Sequence, residues 1–249
     1  MKIFFSEHNK DYSSYTFDYA VYALMDVQNE LPSIYAQGFL PYSNDLSETR
    51  EIFYLSRSLR VNLDEFTDSS ENRRVQKKLT ELDLQLQVTK KEDFDLNDKH
   101  FRQLCLSYAS SRFSGQAMTE ERFEHILQRK VLTDIFTFSN AAGTPVAYIF
   151  TLIESGTLHY WFSFFDERYL ENYPIGKWLM WRAIDWAKQA GLEYVYLGTC
   201  YGEKALYKVR DFKALRFWDG SVWNRDIKLL KLWCKTDEEK LSADRFKLK

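Results

Sequence analysis

The sequence predicts a mixed α/β (α+β) protein, because strand-like alternating or apolar stretches are interspersed with amphipathic stretches of helical period. The chain has 249 residues, of which 45% are hydrophobic and 28% charged, as is typical of a folded globular protein. Its net charge of -2 excludes a uniformly basic binder of nucleic acid. Three scattered cysteines exclude a disulfide framework and favour a reducing compartment. Since no apolar stretch exceeds the length of a strand, we expect a cytoplasmic protein that does not interact with membranes.

Residues 1–93 are predicted to form a first, α+β domain. Aromatic and β-branched residues predict a strand at 17–25, and Gly38 ends the short helix that follows it. Residues 51–66 are predicted to be extended, because their second half alternates with period two. The domain ends with a helix over 71–82, capped by Ser69 or Ser70, and an alternating strand over 82–88.

The charged stretch 90–95 marks the predicted boundary to a second domain, residues 94–249. Cys105 shares one helical face with Phe101, which predicts a buried cysteine that packs as a small hydrophobic residue. Turn residues around Gly143 and Gly156 separate three strands, which we expect to form an antiparallel meander. The predicted elements are a helix containing Phe101–Tyr108, a helix capped by Thr119, strands at 133–139, 146–153 and 158–165, a helix at 175–190 and a strand at 194–197.

Five motifs in the same order resemble the aminoacyl-tRNA–protein transferases, the arginyl and leucyl transferases that modify protein N-termini. The resemblance spans most of residues 15–217. The order of elements in the second domain is also that of an N-acetyltransferase-like (GNAT) domain. The motif residues are Tyr35–Phe39, then Leu59–Leu63 with Phe66 and Ser69–Arg74, then Phe164–Asp166, then Ile175 and Gly176, and finally Leu197 and Gly198 with Lys204–Lys208.

This resemblance implies transfer of an amino acid, arginine in preference to leucine, from aminoacyl-tRNA to the N-terminal α-amine of an acceptor protein or peptide. It implies no DNA partner. Family members usually carry a cysteine cluster in the first domain, which binds a metal or an iron–sulfur cofactor. Residues 13–57 contain no cysteine here. We therefore expect this chain to bind no cofactor and no metal in that domain.

Such a transfer requires an acceptor for the ammonium proton or charge, and a hydrogen-bond donor for the oxyanion that develops on the ester carbonyl. Asp166, at the end of a predicted strand, is a candidate for orienting the ammonium group, although a loop carboxylate bonded to backbone is an equally good interpretation. Tyr207 and Lys208 are candidates for contacting the terminal adenosine, its phosphate or the oxyanion. His159 is interpreted as a buried histidine rather than a general base.

The tRNA must be held by its phosphates, through Lys and Arg side chains. Arg73 and Arg74 belong to one of the motifs that resemble the transferase family. They lie near the N-terminus of a predicted helix, where phosphate binding is favoured. We interpret Lys213, Lys228 and Lys231 as solvated surface residues. The full set of candidates for contacting the tRNA or the acceptor is Arg57, Arg60, Arg73, Arg74, Lys77, Lys204 and Arg210.

Two other functions remain open. A GNAT acyltransferase that uses acyl-CoA needs a glycine-rich loop whose N–H groups hold the pyrophosphate, and residues 169–176 hold one glycine and no basic residue. A non-catalytic protein that binds the tRNA end is the third possibility. An arginyl pocket requires a buried carboxylate and a leucyl pocket an apolar slot, and the sequence does not show which side chains converge.

Overall fold

The structure is a computed structural model that describes residues 1–13, 16–113 and 118–237. Twelve strands of the described residues form two β-sheets. The strands of the first sheet are β1 (Lys2–Asp11), β2 (Thr16–Leu24), β3 (Phe39–Pro41) and β4 (Ile52–Leu55). They pair antiparallel in the order β1-β2-β4-β3.

The second sheet has eight strands. They are β5 (Ser58–Asn62), β6 (Gln85–Lys90), β7 (Asp134–Ser139), β8 (Pro145–Glu154), β9 (Thr157–Phe165), β10 (Tyr194–Thr199), β11 (Leu215–Trp218) and β12 (Trp223–Asn224). Their order is β12-β11-β5-β10-β9-β8-β7-β6. Within the described chain, β9 and β10 are the parallel pair and the other neighbours are antiparallel. This arrangement confirms the mixed α/β class, the mainly antiparallel sheet and the predicted meander.

Helices cover both faces of the second sheet. The helices are α1 (Leu31–Ala36), α2 (Ser70–Leu79), α3 (Lys99–Arg112), α4 (Glu120–Gln128), α5 (Ile175–Gln189), α6 (Tyr207–Arg210) and α7 (Ile227–Thr236). Phe136 and Ile149 pack with α2 and α5, whereas their neighbours Ile135 and Phe150 pack with α3 and α4. Because successive side chains of a strand point to opposite faces, the central strands must be apolar on both.

A third apolar cluster joins the two sheets. Tyr35 of α1 and Phe53 of β4 pack there against Leu152 of β8 and Tyr196 of β10. Tyr35 and Tyr196 lie with their ring centroids 4.7 Å apart. This contact brings α1 directly against the middle of the second sheet, beside β9.

Local sequence signals explain where several helices begin. Ser69 accepts a hydrogen bond from the backbone N–H of Asn72, and Thr119 accepts one from Arg122. Both predicted caps are therefore confirmed, and Cys105 is fully buried on α3 as expected. The strand predicted from residue 82 begins later, at Gln85, because residues 80–82 form a 3-10 turn that ends with Asp83 at φ 43°.

The predicted boundary at residues 93 and 94 remains a prediction. Hydrogen bonds cross it, since β5 and β6 lie in the same sheet as the strands that follow it. In residues 1–13, 16–113 and 118–237, we find no helix with the length and apolar character needed to span a bilayer.

Candidate active site

Strands β9 and β10 pair over only three residues and then separate. The last pair in register is His159 with Tyr196. Beyond it a cavity of about 510 Å³ opens between the two strands. Tyr160–Ser163 of β9 and Leu197–Thr199 of β10 line its walls, together with Tyr207 and Lys208 of α6. A gap in a sheet exposes strand residues that are buried elsewhere, so it is a place where a ligand can reach polar groups inside the fold.

The lining of this cavity is aromatic and carries positive rather than negative charge. Eight lining residues are aromatic, namely Tyr42, Tyr54, Tyr108, Phe113, Tyr160, Trp161, Phe162 and Tyr207. The charged residues of the described lining are Arg122 and Lys208, and none of its members is Asp or Glu. The cavity therefore suits an uncharged apolar group next to an anionic or strongly polarised oxygen.

Lys208 places its ammonium at the wall formed by the end of β10. Its Nζ donates to the carbonyl oxygen of Thr199 at 3.0 Å, and a Cβ placed on Gly198 would lie 3.5 Å from that Nζ. Burial lowers the pKa of Lys208, and the nearby Cys200 thiol opposes that shift. No carboxylate of the described residues forms a salt bridge with Lys208. One backbone carbonyl thus leaves two of its three N–H donors for a ligand.

His159 lies on β9 in the same lining and is held from behind by α1. The hydroxyl of Tyr35 is 3.0 Å from its Nδ1, and both side chains are almost completely buried. Burial, with the charge of Lys208 as a second cause, lowers the pKa of His159 to about 3. The imidazole is therefore neutral at physiological pH and too weak a base to deprotonate an amine. The prediction of a buried histidine is confirmed.

Tyr207 and Arg122 approach the cavity from outside the sheet. Tyr207 keeps 47% of its surface exposed. Arg122 of α4 donates from Nη2 to the hydroxyl of Ser43 at 3.2 Å, and burial lowers its pKa. The structure thus brings the two predicted neighbours Tyr207 and Lys208 to one cavity and adds a second cation to it.

Asp166, the third predicted catalytic residue, lies elsewhere. Its carboxylate accepts hydrogen bonds from the backbone and the guanidinium of Arg168, and these bonds lower the pKa of Asp166. It lines a separate cavity of about 450 Å³ with His100 and Ser107 of α3. Tyr108 borders both cavities. The arrangement matches the loop interpretation of this carboxylate, and its role toward an ammonium group stays a prediction.

Arg57 ties the end of β4 to the C-terminal part of the fold. Its guanidinium forms two hydrogen bonds with Asp237, at 2.9 and 3.1 Å, and one with the carbonyl oxygen of Cys200 at 3.3 Å. It also lies over the rings of Tyr201 and Trp233. With these contacts made, the structure gives Arg57 a structural role, and binding of an acceptor or tRNA by it stays a prediction.

Arg60 on β5 is similarly engaged. Its guanidinium is stacked between Tyr194 and Trp223, with centroid distances of 4.2 and 4.3 Å, and its Nε donates to Asn62. Arg60 is not part of the cavity lining.

The remaining basic candidates lie on exposed surfaces. On α2, Arg74 pairs with Glu71 through two hydrogen bonds of 2.7 and 2.8 Å, whereas the guanidinium of Arg73 donates to the carbonyl oxygen of Asp68 as its one hydrogen bond within the described residues. Lys77 on the same helix is exposed. Arg210, the last residue of α6, and Lys204, which shortly precedes that helix, are exposed as well. These side chains are accessible to a polyanion, but the structure does not gather them at the cavity.

The three cysteines are buried and carry free thiols. The sulfur atoms of Cys200 and Cys234 are 3.6 Å apart, and burial raises the pKa of Cys200 to about 12, so it is a poor nucleophile. Across the described parts of the chain, no three side chains of His, Cys, Asp or Glu are grouped so that they could hold a metal ion.

Two residues that line or support the cavity have no predicted role in the sequence. Tyr35 falls within a motif used for the resemblance, but its contact with His159 crosses 124 positions of sequence. Arg122 looks like an ordinary solvated residue of an amphipathic helix. No local signal indicates either contact, because both depend on how the first sheet packs on the second.

The chain is similar to several solved structures. L-PGS from Bacillus licheniformis is 14% identical, with a TM-score of 0.44, over 70% of this chain and 52% of that one. The C-terminal domain of a putative lysylphosphatidylglycerol synthetase from Agrobacterium fabrum is 14% identical, with a TM-score of 0.44, over 72% and 54%. FemX is 9% identical, with a TM-score of 0.45, over 73% and 63%. The chain spans about half the length of the first two.

No curated protein sequence matches the chain. Residues 69–213, more than half of the chain, match the family model described as an acetyltransferase (GNAT) domain. This region contains the meander, the parallel pair of β9 and β10, and both α6 residues of the cavity. The match agrees with the order of elements that the sequence predicts for its second domain. The chain therefore belongs to the acetyltransferase (GNAT) domain family.

Proposed function

We propose that this protein transfers an amino acid from aminoacyl-tRNA to the α-amine at the N-terminus of an acceptor protein or peptide. The observation that carries the proposal is the cavity between the diverging strands β9 and β10, which holds the ammonium of Lys208 and no carboxylate among its described lining residues. A partly buried ammonium next to a space of that size fits the stabilisation of a carbonyl oxygen that becomes negatively charged.

The reaction needs little else from the protein. The amine nitrogen attacks the ester carbonyl carbon, the carbonyl oxygen becomes an oxyanion held by Lys208, and the bond to the ribose oxygen then breaks. The proton lost by the amine ends on that ribose oxygen. A free α-amine has a pKa of about 7.7–8, so much of it is neutral near physiological pH and can attack without a strong base. Holding the amine and the ester together would supply much of the rate.

The amino acid that fits this cavity is uncharged and apolar. A buried guanidinium requires a carboxylate partner, and the described lining offers two cations and no carboxylate. Aromatic walls suit an aliphatic or aromatic side chain. The lining therefore favours a leucine-type donor over the arginyl donor that the resemblance implies.

The nucleic-acid part of the donor would contact the exposed basic side chains. On α2 the candidates are Arg73, which donates to the carbonyl oxygen of Asp68, and the exposed Lys77. Arg210 belongs to α6, the helix that carries Lys208, and Lys204 shortly precedes that helix. Phosphate contacts of this kind are sensitive to salt, because each one releases condensed counterions.

An acyl-CoA donor is the second candidate, and the family match favours it. The place expected to hold its pyrophosphate is the N-terminus of α5. The basic residue in that first turn, Lys177, is engaged with Glu71 at 2.9 Å and Asp211 at 2.8 Å. Its charge is therefore offset by two carboxylates, which weakens the site for an anion.

Purified protein should be incubated with a model peptide and with Leu-tRNA or Arg-tRNA carrying a labelled amino acid. We expect transfer of leucine in preference to arginine. Substitution Lys208→Met should lower kcat by about 10²–10³-fold, the cost of losing one oxyanion donor. The matched control is Lys231→Met, which removes an exposed lysine on α7 and should leave kcat unchanged. An active Lys208→Met variant would contradict the role of this lysine.

Binding of the aminoacyl-tRNA donor is tested in a separate experiment. A variant with Arg73→Ala and Arg74→Ala should bind aminoacyl-tRNA more weakly and with a salt dependence of log Kd smaller by about 1 to 2, compared with a Lys228→Ala, Lys231→Ala control. Full affinity in the first variant would rule out this phosphate contact. Acetyl-CoA that raises the melting temperature, in a protein inactive with both tRNAs, would favour the second candidate, and tRNA binding without transfer would favour a non-catalytic protein.

A further inference from the structure

The hydroxyl of Tyr35 determines which nitrogen of His159 carries the proton. Tyr35 is 1% exposed, and among the described residues its hydroxyl has one hydrogen-bond partner, Nδ1 of His159 at 3.0 Å. A buried hydroxyl must donate its proton to avoid a large desolvation cost, so Nδ1 is the acceptor. A neutral imidazole has a single N–H. Its proton is therefore on Nε2.

The neutral form of the ring follows from its surroundings. Burial and the charge of Lys208 both lower the pKa of His159. Its close aromatic neighbours are Tyr35 and Trp161, at centroid distances of 5.6 and 6.4 Å, and no carboxylate of the described residues pairs with it. Among the described residues, no negatively charged group lies beside the ring to stabilise an imidazolium ion.

Because Nδ1 of His159 faces Tyr35, Nε2 is the ring nitrogen left to face the cavity. His159 lines the cavity although it is 2% exposed, and in the described chain no hydrogen bond engages its Nε2. Lys208 lines the same cavity, and its charge acts on His159. The site thus presents a neutral N–H and an ammonium in one space without a carboxylate, a pair suited to one oxygen atom that gains negative charge.

We propose that His159 donates a hydrogen bond from Nε2 to the carbonyl oxygen of the acyl donor, beside Lys208, and that Tyr35 is the positioning residue that fixes this tautomer. This inference rests on the proposed acyl transfer at the cavity. His159 keeps its proton throughout: it stabilises the oxyanion when the amine attacks and releases the carbonyl oxygen when the ester bond breaks. A role of His159 as general base at the cavity would require an unprotonated Nε2 and a higher pKa of the imidazole.

The tautomer can be measured without any activity. Protein labelled with ¹⁵N-histidine should show, at neutral pH, one ring with an unprotonated Nδ1 and a protonated Nε2. Loss of its signals in a His159→Gln variant assigns that ring. In Tyr35→Phe the same ring should become a mixture of tautomers, because its Nδ1 partner is gone. An Nδ1–H tautomer or an imidazolium in the unmodified protein would overturn the proposal, whatever the donor proves to be.

Two substitutions of His159 distinguish the loss of the hydrogen-bond donor at Nε2 from the loss of side-chain packing. His159→Gln places an amide N–H close to the position of Nε2, whereas His159→Asn places its amide near Nδ1 and leaves the Nε2 position empty. With whichever acyl donor the unmodified protein uses, we expect kcat to fall by about 10²-fold in His159→Asn at similar KM, and far less in His159→Gln. Tyr35→Phe should also lower kcat more than KM. Equal kcat values in the Gln and Asn variants would overturn the proposal.

Failure of the proposed function would give different results from failure of the inference about His159. A protein that transfers acetyl groups and no amino acids refutes the tRNA donor, yet the tautomer and the comparison of the two variants would still test His159. Transfer from Leu-tRNA that is unaffected by His159→Asn would refute this inference alone.

Discussion

Acidification should weaken the fold through His159, and the size of the effect follows from its burial. The folded-state pKa is about 3, against an ordinary value of 6.5. Between these two values the unfolded chain binds a proton at this histidine and the folded protein does not. The stabilisation is therefore complete above about pH 6.5 and is lost as the pH falls toward 3. At pH 5, about 1.5 pH units below the ordinary pKa of histidine, protonation stabilises the unfolded state by about 2 kcal/mol relative to the folded state.

The measurement is the free energy of unfolding in urea at pH 7 and pH 5, for the unmodified protein and for His159→Asn. Asparagine does not titrate, and its side-chain oxygen can still accept from Tyr35. Any loss of packing lowers stability equally at both pH values, so only the change between them reports the histidine. We expect the unmodified protein to lose about 2 kcal/mol more than the variant. Parallel losses in the two proteins would refute the buried neutral state of His159.

Three further predictions concern backbone space, an ion pair and alkaline pH. Gly38→Ala should destabilise the fold by about 2–5 kcal/mol, because φ is +80° and a methyl group would overlap a tryptophan ring, whereas Gly143→Ala, at φ +77° in open space, should cost about 1–2 kcal/mol by thermal unfolding. Arg57→Met should lower the free energy of unfolding in urea by about 1–3 kcal/mol, since Asp237 loses two hydrogen bonds; unchanged stability would contradict this bridge. Activity that needs the ammonium of Lys208 should decline as pH rises through its lowered pKa, below the ordinary lysine value of about 10.4, and kcat/KM that is flat to pH 10 would argue against that requirement.

Elements with a strong local signal could be predicted from the sequence. The face shared by Phe101 and Cys105, the cap at Thr119 and the turns at Gly143 and Gly156 each depend on a few adjacent residues, and the structure has the expected elements there. The short strands β11 and β12 have no such signal. They exist because their backbones pair with β5 and with each other, which no local pattern encodes.

The candidate site shows the same division. Tyr207 and Lys208 are neighbours in sequence and lie together in the cavity. Asp166 lies at the end of β9 and lines the separate cavity beside α3. The direction of a side chain at a strand end depends on the loop that follows, which the sequence does not show. Arg57 looks available for an anion in the sequence, yet its partner is Asp237, far along the chain. The sequence does not show which acidic side chain pairs with each basic one. Which basic residues remain available to a ligand therefore depends on tertiary contacts.

The position of β5 has a consequence for how this fold is assembled. This strand precedes the region that matches the family model, but it pairs with β10 on one side and β11 on the other. A protein shortened to residues 69–213 would leave the outer backbone groups of β10 unpaired, an open edge that invites aggregation. Closing that edge joins segments more than a hundred residues apart, so it should come late and slowly in folding. The region that matches the family model thus depends on an earlier segment of the chain to complete its own sheet.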